Sequence, residues 1–280
     1  MRPMRRLLGT LLPLTLVPAA LLVVVPTALA DPPGTRTEVV AHRGASGDAP
    51  ENTLAAAVEA LAQRADSIEV DVRRTADGHL VLLHDATLAR TTDVERVFPA
   101  RALAPVGSFT LEELKRLDAG SWFGPEFAGE RIPTFAEFVD RVGGRAGLLV
   151  ELKDPASYPG IEKEVAAELG APRPGVVVQS FDHEAMGRFA EVAPDVPAGW
   201  LFDSRPTDAR LDEAASAGVT QVNPSFRVTD AALVDAVAAR GMETGVYTVN
   251  EEADMRRMLD AGVDRIITDR PGVLRGVLTR

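Results

Sequence analysis

The sequence predicts an α/β fold, a closed (β/α)8 barrel of the TIM type with a small subdomain inserted after its second strand. From residue 37 onward, short β-branched runs alternate with amphipathic segments that carry helix-start signals, the pattern of repeated βα units and a parallel sheet. The chain has 280 residues, and a closed barrel of about 250 residues forms a single domain. We therefore expect one large barrel domain after the N-terminal segment.

Eight segments have the length and composition of barrel strands. They are residues 37–41, 67–73, 147–152, 175–179, 198–202, 221–223, 243–248 and 265–268. Small polar residues precede four of the following helices, where their side-chain oxygens can accept hydrogen bonds from first-turn amides. They are Thr53 before 54–64, Thr134 with Glu137 three residues later, Thr229 before 231–240 and Asn250 before 251–261. Four glycines end helices: Gly170, Gly218, Gly241 and Gly262.

The stretch from about residue 75 to residue 132 is too long for an ordinary connection between a strand and a helix. It contains an Asp77-Gly78 pair, which is a hairpin signal, and Thr110 with Glu113 three residues later, which signals a helix start. We predict that this insertion covers the barrel mouth. A separate domain is disfavoured because no flexible linker flanks the stretch.

The first thirty residues form a segment of a different kind. Arg2, Arg5 and Arg6 precede an apolar run over residues 7–29, which ends in Ala28-Leu29-Ala30. This predicts a secretory signal peptide over residues 1–30, a barrel domain over residues 31–280 and a secreted protein. An uncleaved membrane anchor is the alternative, since the run approaches the roughly 20 residues that a span requires, but its prolines and its small-residue end argue against it.

The charge of the chain excludes some partners. The formal net charge is -11, and removal of the three signal arginines gives -14, because residues 1–30 contain no acidic side chain. An acidic surface of this kind repels nucleic acid and anionic lipid, so we expect no nucleic-acid partner and no stable membrane association after the signal is removed. Cysteine is absent, so stability must come from a large core and not from disulfides.

Three carboxylates are candidate metal ligands. Glu69 and Asp71 lie two residues apart on a predicted strand, so both side chains point to the same face, which in a barrel is the interior. Glu151 lies at the end of the next predicted strand. An all-oxygen ligand set suits Ca²⁺ or Mg²⁺. The alternative is that neighbouring arginines and lysines neutralise these acids, but three acids converging at strand ends leave excess buried charge unless a metal binds.

The chain has four histidines, and two of them follow apolar strands. For a phosphodiester, one imidazole can activate an attacking oxygen while the other protonates the leaving alkoxide. His42 and His84 are the candidates for this pair. Each taken alone is better explained as a hydrogen-bonded structural histidine, but the two together beside the carboxylates favour catalysis. His79 in the predicted hairpin turn and His183 at a helix start read as solvated surface residues.

Two cations and one amide are candidate phosphate ligands. Arg43 and Lys153 can neutralise non-bridging phosphate oxygens, and they can also form ion pairs with the nearby acids. Asn52 lies just before the first helix. It can cap that helix or face the site, because helix starts in a barrel border the active-site end.

These residues belong to an ordered set of motifs that resembles the glycerophosphodiester phosphodiesterase family over essentially the whole chain after residue 30. The motifs are His42-Arg43-Gly44, Pro50-Glu51-Asn52-Thr53, Glu69-Val70-Asp71-Val72, Asp77-Gly78, His84-Asp85, the run from Leu117 to Phe123, Arg131-Ile132-Pro133-Thr134, Glu151-Leu152-Lys153, Gln179-Ser180-Phe181 and Thr268-Asp269-Arg270-Pro271. Tyr247-Thr248-Val249-Asn250 resembles a late family motif that more often begins with Trp, a change that alters the pocket wall and leaves the acid–base groups untouched.

The resemblance implies hydrolysis of glycerophosphodiesters to an alcohol and glycerol 3-phosphate with a divalent metal, Ca²⁺ or Mg²⁺. It also implies lipid and glycerol metabolism as the setting. In this sequence Glu69, Asp71 and Glu151 match the metal ligands, and His42 and His84 match the acid–base pair. Arg43 and Lys153 match phosphate-binding positions. Which histidine is the base, and whether the glycerol hydroxyl attacks first to give a cyclic phosphate, stay open.

Three alternatives share this pattern of residues. The substrate can be an intact phospholipid, as for phospholipase-D-like relatives, or a polymeric teichoic-acid-like glycerophosphate. The acidic charge and the lack of an exposed aromatic cluster argue against the first, although Trp122, Phe123 and Phe127 lie in the insertion. The third alternative is a non-catalytic protein that binds phosphate esters, and the joint presence of both histidines, the third carboxylate and Lys153 favours an enzyme.

Overall fold

Eight parallel strands close into a barrel with helices between consecutive strands, as predicted. The ring closes because the first strand pairs with both the second strand and the last. The computed structural model describes residues 36–171 and 173–280, so the predicted signal peptide, residues 1–30, lies outside the described residues. Within the described ranges, no helix combines the length and the apolar character needed to cross a membrane.

The strands and helices follow the chain in a regular alternation. The strands are β1 (Glu38–Ala41), β2 (Ser67–Arg74), β3 (Leu80–Leu82), β4 (Gly147–Leu152), β5 (Val176–Ser180), β6 (Ala198–Phe202), β7 (Gln221–Pro224), β8 (Glu243–Val246) and β9 (Arg265–Thr268). The helices are α1 (Leu54–Ala62), α2 (Val94–Val97), α3 (Leu111–Leu114), α4 (Phe135–Val142), α5 (Ile161–Leu169), α6 (His183–Val192), α7 (Asp208–Ser216), α8 (Ala231–Ala238), α9 (Glu252–Asp260) and α10 (Pro271–Leu278). All strands except β3 belong to the barrel, and each lies within two residues of its predicted bounds.

The barrel interior is filled in layers because alternate strand residues point inward. Val40, Leu149, Val177 and Ile267, from four different strands, form a buried apolar layer across the middle of the barrel. The outward residues of the strands pack against the helices in the main core. The apolar layer therefore closes the barrel beneath the polar residues at the strand ends, so it is a floor and not a pore.

The inserted stretch begins with the predicted hairpin. β3 runs antiparallel to β2 over residues 72–74, beyond the two residues where β1 pairs with β2. The hairpin therefore continues the sheet past the end of β1, on the side where the parallel strands end. The rest of the insertion packs around its own apolar cluster. Its buried members are Val81, Leu83, Leu88, Val94, Val106, Phe109, Leu114, Leu117, Ala119 and Ile132.

Two helix starts differ from the predictions. Asp230, not Thr229, is the N-cap of α8, because the carboxylate one residue later accepts the hydrogen bond from the first turn. Glu251, not Asn250, is the N-cap of α9. The Asn250 amide is instead hydrogen-bonded to the side chain and the backbone of Asp269 at the end of β9. A partner distant in sequence thus removes Asn250 from its predicted local role.

Candidate active site

Three carboxylates from two adjacent strands meet inside the barrel mouth. Glu69 and Asp71 lie on β2, and Glu151 lies on β4 directly beside Asp71 in the strand register. All three residues are buried, and one oxygen of each lies within 4.8 Å of the others. The two-residue spacing on one strand and the parallel register with its neighbour bring together the three acids selected from the sequence.

Burial sets the charge state of this acidic cluster. It raises the pKa of Glu69 well above its ordinary value, and the charges of Asp71 and Glu151 add to the effect. Burial likewise raises the pKa of Glu151 to about 7. Burial also acts on Asp71, but nearby cations, chiefly Arg43, outweigh it and hold the pKa of that carboxyl below its usual value. The raised pKa values favour the protonated forms of Glu69 and Glu151, so these two glutamates need a further positive charge nearby to stay ionised.

Two oxygens of the cluster test whether a metal fits. Glu69 Oε1 and Asp71 Oδ1 are buried and have no hydrogen-bond partner. A buried acceptor without a partner is costly, and a cation bound between the three acids would remove that cost. Carboxylate oxygens are the ligands that Ca²⁺ and Mg²⁺ prefer. The residues present fit a hard divalent cation.

Arg43 and Lys153 lie beside the acids and line the same cavity. Arg43 Nη1 donates to Glu51 Oε1 at 2.9 Å, and Arg43 Nε lies 3.2 Å from Asp71 Oδ2. Lys153 Nζ donates to Glu151 Oε1 at 2.7 Å. Both side chains also face the cavity, so the ion pairs considered from the sequence coexist with access to an anionic ligand.

The loop after β1 places both the backbone amide and the side chain of Arg43 in contact with the acids. Arg43 has a φ of 56°, and its amide donates to Glu69 Oε2 at 2.8 Å. Gly44 follows with a φ of 85°, and a Cβ there would lie 2.6 Å from the Cβ of Ala56. Glycine is needed at this position both for the left-handed backbone and for the close approach of the loop to α1.

Asn52 and Thr53 divide the two roles that the sequence left open. Thr53 is the N-cap of α1, because its side chain accepts a hydrogen bond from the amide of Ala56. Asn52, with a φ of 57°, is buried and donates through Nδ2 to Asp71 Oδ2 at 2.8 Å. Asn52 thus orients a carboxylate and does not line the cavity. Its binding of substrate stays a prediction.

His42 is oriented by a residue from the last strand end. Its Nδ1 lies 2.6 Å from Asp269 Oδ1, which also accepts from the hydroxyl of Ser46. Burial raises the pKa of Asp269, but hydrogen bonds from His42, Asn250 and Ser46 outweigh burial and lower it to about 2. Because an ionised carboxylate only accepts, Nδ1 carries a proton and Nε2 is the atom left for chemistry in the cavity.

His84 is oriented in a similar way from the insertion. Its Nδ1 lies 2.7 Å from Asp85 Oδ1, and Asp85 in turn accepts from Arg90. Arg90 also donates to Glu51, which connects the insertion to the loop after β1. Burial, with smaller effects from nearby charges, lowers the pKa of His84 below its ordinary value. Asp85, Arg90 and Glu51 thus form a chain of ion pairs that holds the ring of His84 at the cavity.

Arg73 fixes the backbone that carries His84. This buried guanidinium donates from Nη2 to the carbonyl of His84 at 2.7 Å and from Nε to the carbonyl of Leu83 at 3.2 Å. Its Nη1 donates to Asp154 Oδ2 at 2.7 Å. A planar guanidinium with several fixed donors can satisfy all these acceptors at once, so Arg73 ties the segment after β3 to β2 and to the loop after β4.

The other two histidines lie outside the cavity. His79 is exposed on the hairpin, as predicted. The prediction that His183 is a solvated surface residue is wrong. Its ring is half-buried and stacks on Trp200 with centroids 4.2 Å apart, and its Nε2 donates to the carbonyl of Leu201 at 2.9 Å. The outward-facing indole of β6 provides a flat surface that covers the ring, which the sequence around residue 183 does not reveal.

A cavity of about 320 Å³ joins these groups. His42, Arg43, Glu69, His84, Glu151 and Lys153 line one side of it. Residues that follow or end β5, β6 and β8, together with Ile267 of β9, line the rest. They are Gln179, Phe181, Leu201, Asp203, Tyr247 and Thr248. The two imidazoles and the acidic cluster thus open onto one space, where proton transfer and charge neutralisation can act on the same bound anion.

Several residues of this site were not selected from the sequence. Asp269, Asn250 and Arg73 orient the predicted groups, and Asp203 forms part of the cavity wall. Tyr247 lines the same wall, as the sequence predicted. Asp269 lies in the Thr268-Asp269-Arg270-Pro271 motif and Asp85 follows His84 directly. Their membership of motifs was a signal for a role in the site, whereas nothing in the sequence around Arg73 signals its contact with His84.

Comparison with known proteins agrees with this geometry. The model of the glycerophosphoryl diester phosphodiesterase family matches residues 42–273. A glycerophosphodiester phosphodiesterase of Bacillus subtilis is 35% identical over 262 residues, which cover 86% of each chain. One of Caldanaerobacter subterraneus is 38% identical over 243 residues, which cover 85% of this chain and 96% of the relative.

Solved structures share the fold. A phosphodiesterase of Oleispira antarctica, in complex with the product sn-glycerol-3-phosphate, is similar with a TM-score of 0.78 and 29% identity, covering 87% of this chain and 97% of its own. A glycerophosphodiester phosphodiesterase of Agrobacterium tumefaciens has a TM-score of 0.70 at 33% identity, covering 86% of this chain and 100% of its own. The similarity therefore extends over the barrel and the insertion together.

Proposed function

Because the chain belongs to the glycerophosphoryl diester phosphodiesterase family, we propose that it is a secreted, metal-dependent enzyme that uses His42 and His84 for acid–base catalysis. The chain is a phosphoric diester hydrolase of the glycerophosphodiester phosphodiesterase type, which excludes a non-catalytic carrier. The proposed reaction converts a glycerophosphodiester and water to an alcohol and glycerol 3-phosphate. A single observation supports the site best: both imidazoles and the acidic cluster face one cavity.

Glu69, Asp71 and Glu151 would hold the metal, which we propose to be Ca²⁺ or Mg²⁺. When bound, a hard divalent cation of this kind neutralises charge on the phosphate and orients the ester. The three carboxylates supply only oxygen ligands, and two of their buried oxygens accept no hydrogen bond. Asn52 and the Arg43 amide hold Asp71 and Glu69 in place for this role.

The two histidines divide the proton transfers. One imidazole Nε2 accepts the proton of the attacking oxygen as the new P–O bond forms. The other, in its protonated state, donates to the alkoxide as the P–O bond to the alcohol breaks. Asp269 and Asp85 keep each ring in the orientation that presents Nε2 to the cavity. This arrangement is consistent with attack by water and with attack by the neighbouring glycerol hydroxyl.

Arg43 and Lys153 are the proposed phosphate contacts. Both are cationic, both line the cavity, and each is already anchored by a carboxylate that limits its motion. Donors that are fixed before the substrate binds stabilise the charge of the transition state without reorganisation. In our proposal Asn52 supports phosphate binding by orienting Asp71 at the phosphate end of the site.

Secretion rests on the arginine-led apolar segment at the N-terminus. We propose cleavage after Ala30 and release of a protein that begins at Asp31, with no stable membrane attachment afterwards. Mass spectrometry of the N-terminal peptide of the protein purified from the culture medium tests whether the protein begins at Asp31. A retained residue 1–30 segment in a membrane fraction would contradict cleavage.

The assay for the proposed function uses the protein with glycerophosphocholine and Ca²⁺ or Mg²⁺. We expect glycerol 3-phosphate and choline as products, and loss of turnover when a chelator removes the metal. Release of phosphocholine would show that the phosphate is separated from glycerol and not from choline, which would contradict the proposed reaction. Full turnover in excess chelator would contradict metal dependence and leave the family assignment intact.

A further inference from the structure

The end of the barrel opposite the active site carries a group of exposed arginines. Arg64 lies in the loop before β2, Arg145 in the loop before β4 and Arg173 in the loop before β5, and all three residues are exposed. The three loops are neighbours, because β4 pairs with both β2 and β5. Parallel strands begin at the same end of a barrel, so these arginines lie together at the end away from the catalytic cavity.

Two further arginines at this end share one acid. Arg36 Nη2 donates to Asp66 Oδ1 at 2.8 Å, and Arg275 Nη2 lies 2.5 Å from the same oxygen. The other oxygen of Asp66 accepts from the amide of Val39 at 2.8 Å. One carboxylate between two guanidinium groups leaves a net positive charge. The five arginines, which we call the basic face, are Arg36, Arg64, Arg145, Arg173 and Arg275.

Three of these arginines have no carboxylate partner. Within residues 36–171 and 173–280, Arg64, Arg145 and Arg173 form no ion pair within 4.0 Å. Arg145 Nε donates to the carbonyl of Val142 at 3.0 Å, and Arg173 Nη2 donates to the carbonyl of Leu169 at 3.4 Å, at the ends of α4 and α5. Such contacts satisfy the last carbonyls of a helix, but they leave other donors of each guanidinium unused and its full charge unpaired.

A groove of about 280 Å³ separates the loops before β4 and β5. Arg145 and Arg173 line it together with Asp66, Val142 and Pro174. The chain as a whole is acidic, with a formal net charge of -11, so five arginines around one acid differ in sign from the rest of the surface. Charges beyond about 8 Å are screened at physiological ionic strength. An anion in this groove therefore interacts with the local arginines and not with distant acids.

We infer that the basic face is a docking surface for a phosphate polymer outside the cell, a chain of glycerol units joined by phosphodiesters. Guanidinium groups bind phosphate oxygens through paired hydrogen bonds, and arginines that already cap helix ends are held in place before the polymer arrives. This inference rests on the proposed function, since it assumes secretion and assigns a polymer with the linkage that the active site is proposed to cleave.

The composition of the loops argues against other anionic partners. Residues 64–66, 143–146 and 173–175 contain no aromatic side chain and no large exposed apolar side chain. Docking to a bilayer draws on apolar and aromatic side chains that enter the interface. Binding of single-stranded nucleic acid draws on aromatic rings that stack on the bases. A phosphate polymer without bases requires neither.

The test measures binding of a labelled poly(glycerol phosphate) chain by fluorescence anisotropy at several salt concentrations. Every protein carries His42→Ala, so that the polymer is bound and not cleaved. Arg145→Gln combined with Arg173→Gln removes two charges and keeps a donor at each position. We expect this pair to raise the Kd about tenfold and to lower the slope of log Kd against log salt by about one for each lost phosphate contact.

Arg64→Gln keeps the test valid if loss of the two helix caps unfolds the paired variant. The Arg64 side chain forms no hydrogen bond within the described part of the chain, so its replacement leaves the helix ends intact. We expect Arg64→Gln to raise the Kd several-fold. Arg145→Lys combined with Arg173→Lys keeps both charges and should retain most of the binding. Circular dichroism establishes which variants are folded.

Arg116→Gln combined with Arg227→Gln is the matched control. Both arginines are exposed and form no ion pair with the residues that the structure describes, and they lie in the insertion and after β7. The control pair removes the same charge and should leave the Kd unchanged. An equal rise of the Kd in the control pair would show a general effect of net charge and overturn the docking surface. So would an unchanged Kd in the folded variants of the basic face.

Three further arms compare other ligands. If vesicles of phosphatidylglycerol bind as tightly as the polymer, the face responds to charge alone and the inference is overturned. If glycerophosphocholine displaces the polymer, the polymer occupies the catalytic cavity and the inference is again overturned. Hydrolysis of glycerophosphocholine by the unmodified protein is the third arm. Hydrolysis without polymer binding contradicts the docking surface alone, whereas polymer binding without hydrolysis of any glycerophosphodiester contradicts the proposed function alone.

Discussion

The two walls of the cavity are built in opposite ways. The wall from β1, β2 and β4 holds buried charges that contact one another. The wall from β5, β6 and β8 presents an exposed ring, a phenol and a carboxylate that forms no ion pair with any residue that the structure describes. A buried charge is stable only with fixed partners, so the first wall is rigid and specialised for chemistry. The second wall has fewer fixed charged contacts, so we expect substitutions there to disturb the acid–base groups less.

The same contrast appears in how the residues are oriented. On the charged wall, Asp71 contacts Asn52, Arg43 and Lys153, and each histidine ring has its own aspartate. On the aromatic wall, the phenol of Tyr247 is the polar group that contacts Asp203. We therefore expect substitutions on the first wall to lower the turnover of every substrate. We expect substitutions on the second wall to change the turnover of one substrate relative to another.

The largest expected effect follows from removing a metal ligand. Glu69→Gln keeps the volume of the side chain and removes its charge, so metal binding should weaken and turnover should fall by about 10³-fold. Titration calorimetry with Ca²⁺ and Mg²⁺ measures the first effect and a product assay the second. Glu162→Gln is the control, because Glu162 is a buried acid on α5 that pairs with Arg188 far from the cavity. Unchanged metal affinity in Glu69→Gln would remove Glu69 from the ligand set.

The next largest effect concerns the two imidazoles. His42→Ala and His84→Ala should each lower kcat by about 10²-fold or more, since each removes one proton transfer. His79→Ala on the exposed hairpin should have no effect and serves as the control. Circular dichroism establishes that the variants are folded. Near-normal kcat in either active-site variant would reject the proposed role of that ring.

A third prediction concerns stability at acid pH. The folded-state pKa of Asp269 is lowered to about 2, so its ionised form stabilises the fold above the ordinary aspartate pKa of about 3.9, and this stabilisation disappears as the pH falls towards 2. Asp269→Asn should therefore destabilise the protein by about 2 kcal/mol near pH 6, about 30-fold in the folding equilibrium, and by much less near pH 2. Urea unfolding at several pH values measures the difference. An equal loss of stability near pH 6 and near pH 2 would contradict the lowered pKa of Asp269.

The smallest expected effect on the charged wall is on kcat, and it comes from Arg73, which does not face the cavity. Arg73→Lys keeps the charge but loses the planar set of donors to the carbonyls of His84 and Leu83. We expect kcat to fall about tenfold with little change in KM, because the ring of His84 would be less well positioned while the phosphate contacts remain. Arg74→Lys, whose partner Glu164 lies outside the cavity, is the matched control. A rise in KM alone would show that Arg73 does not position His84.

Local patterns in the sequence were sufficient for much of the fold and for the acidic cluster. The period of two along β2 places Glu69 and Asp71 on one face, and the strand and helix signals locate every barrel strand within two residues. The helix cap at Thr53 was also within reach, because a cap involves only a few neighbouring residues. The caps at Thr229 and Asn250 failed where a nearby or distant carboxylate offered a better partner.

The sequence by itself determined which chemical groups the protein has and which strand ends present them, because side-chain direction on a strand depends only on local periodicity. Tertiary structure alone decided which groups orient them. Closure of the barrel pairs β1 with β9, and this brings Asp269 to His42 across 227 positions of the chain. The parallel pairing of β6 with β7 and of β7 with β8 sets Tyr247 beside Asp203. Contacts of this kind form only when distant strands align, and no pattern within a few residues specifies them.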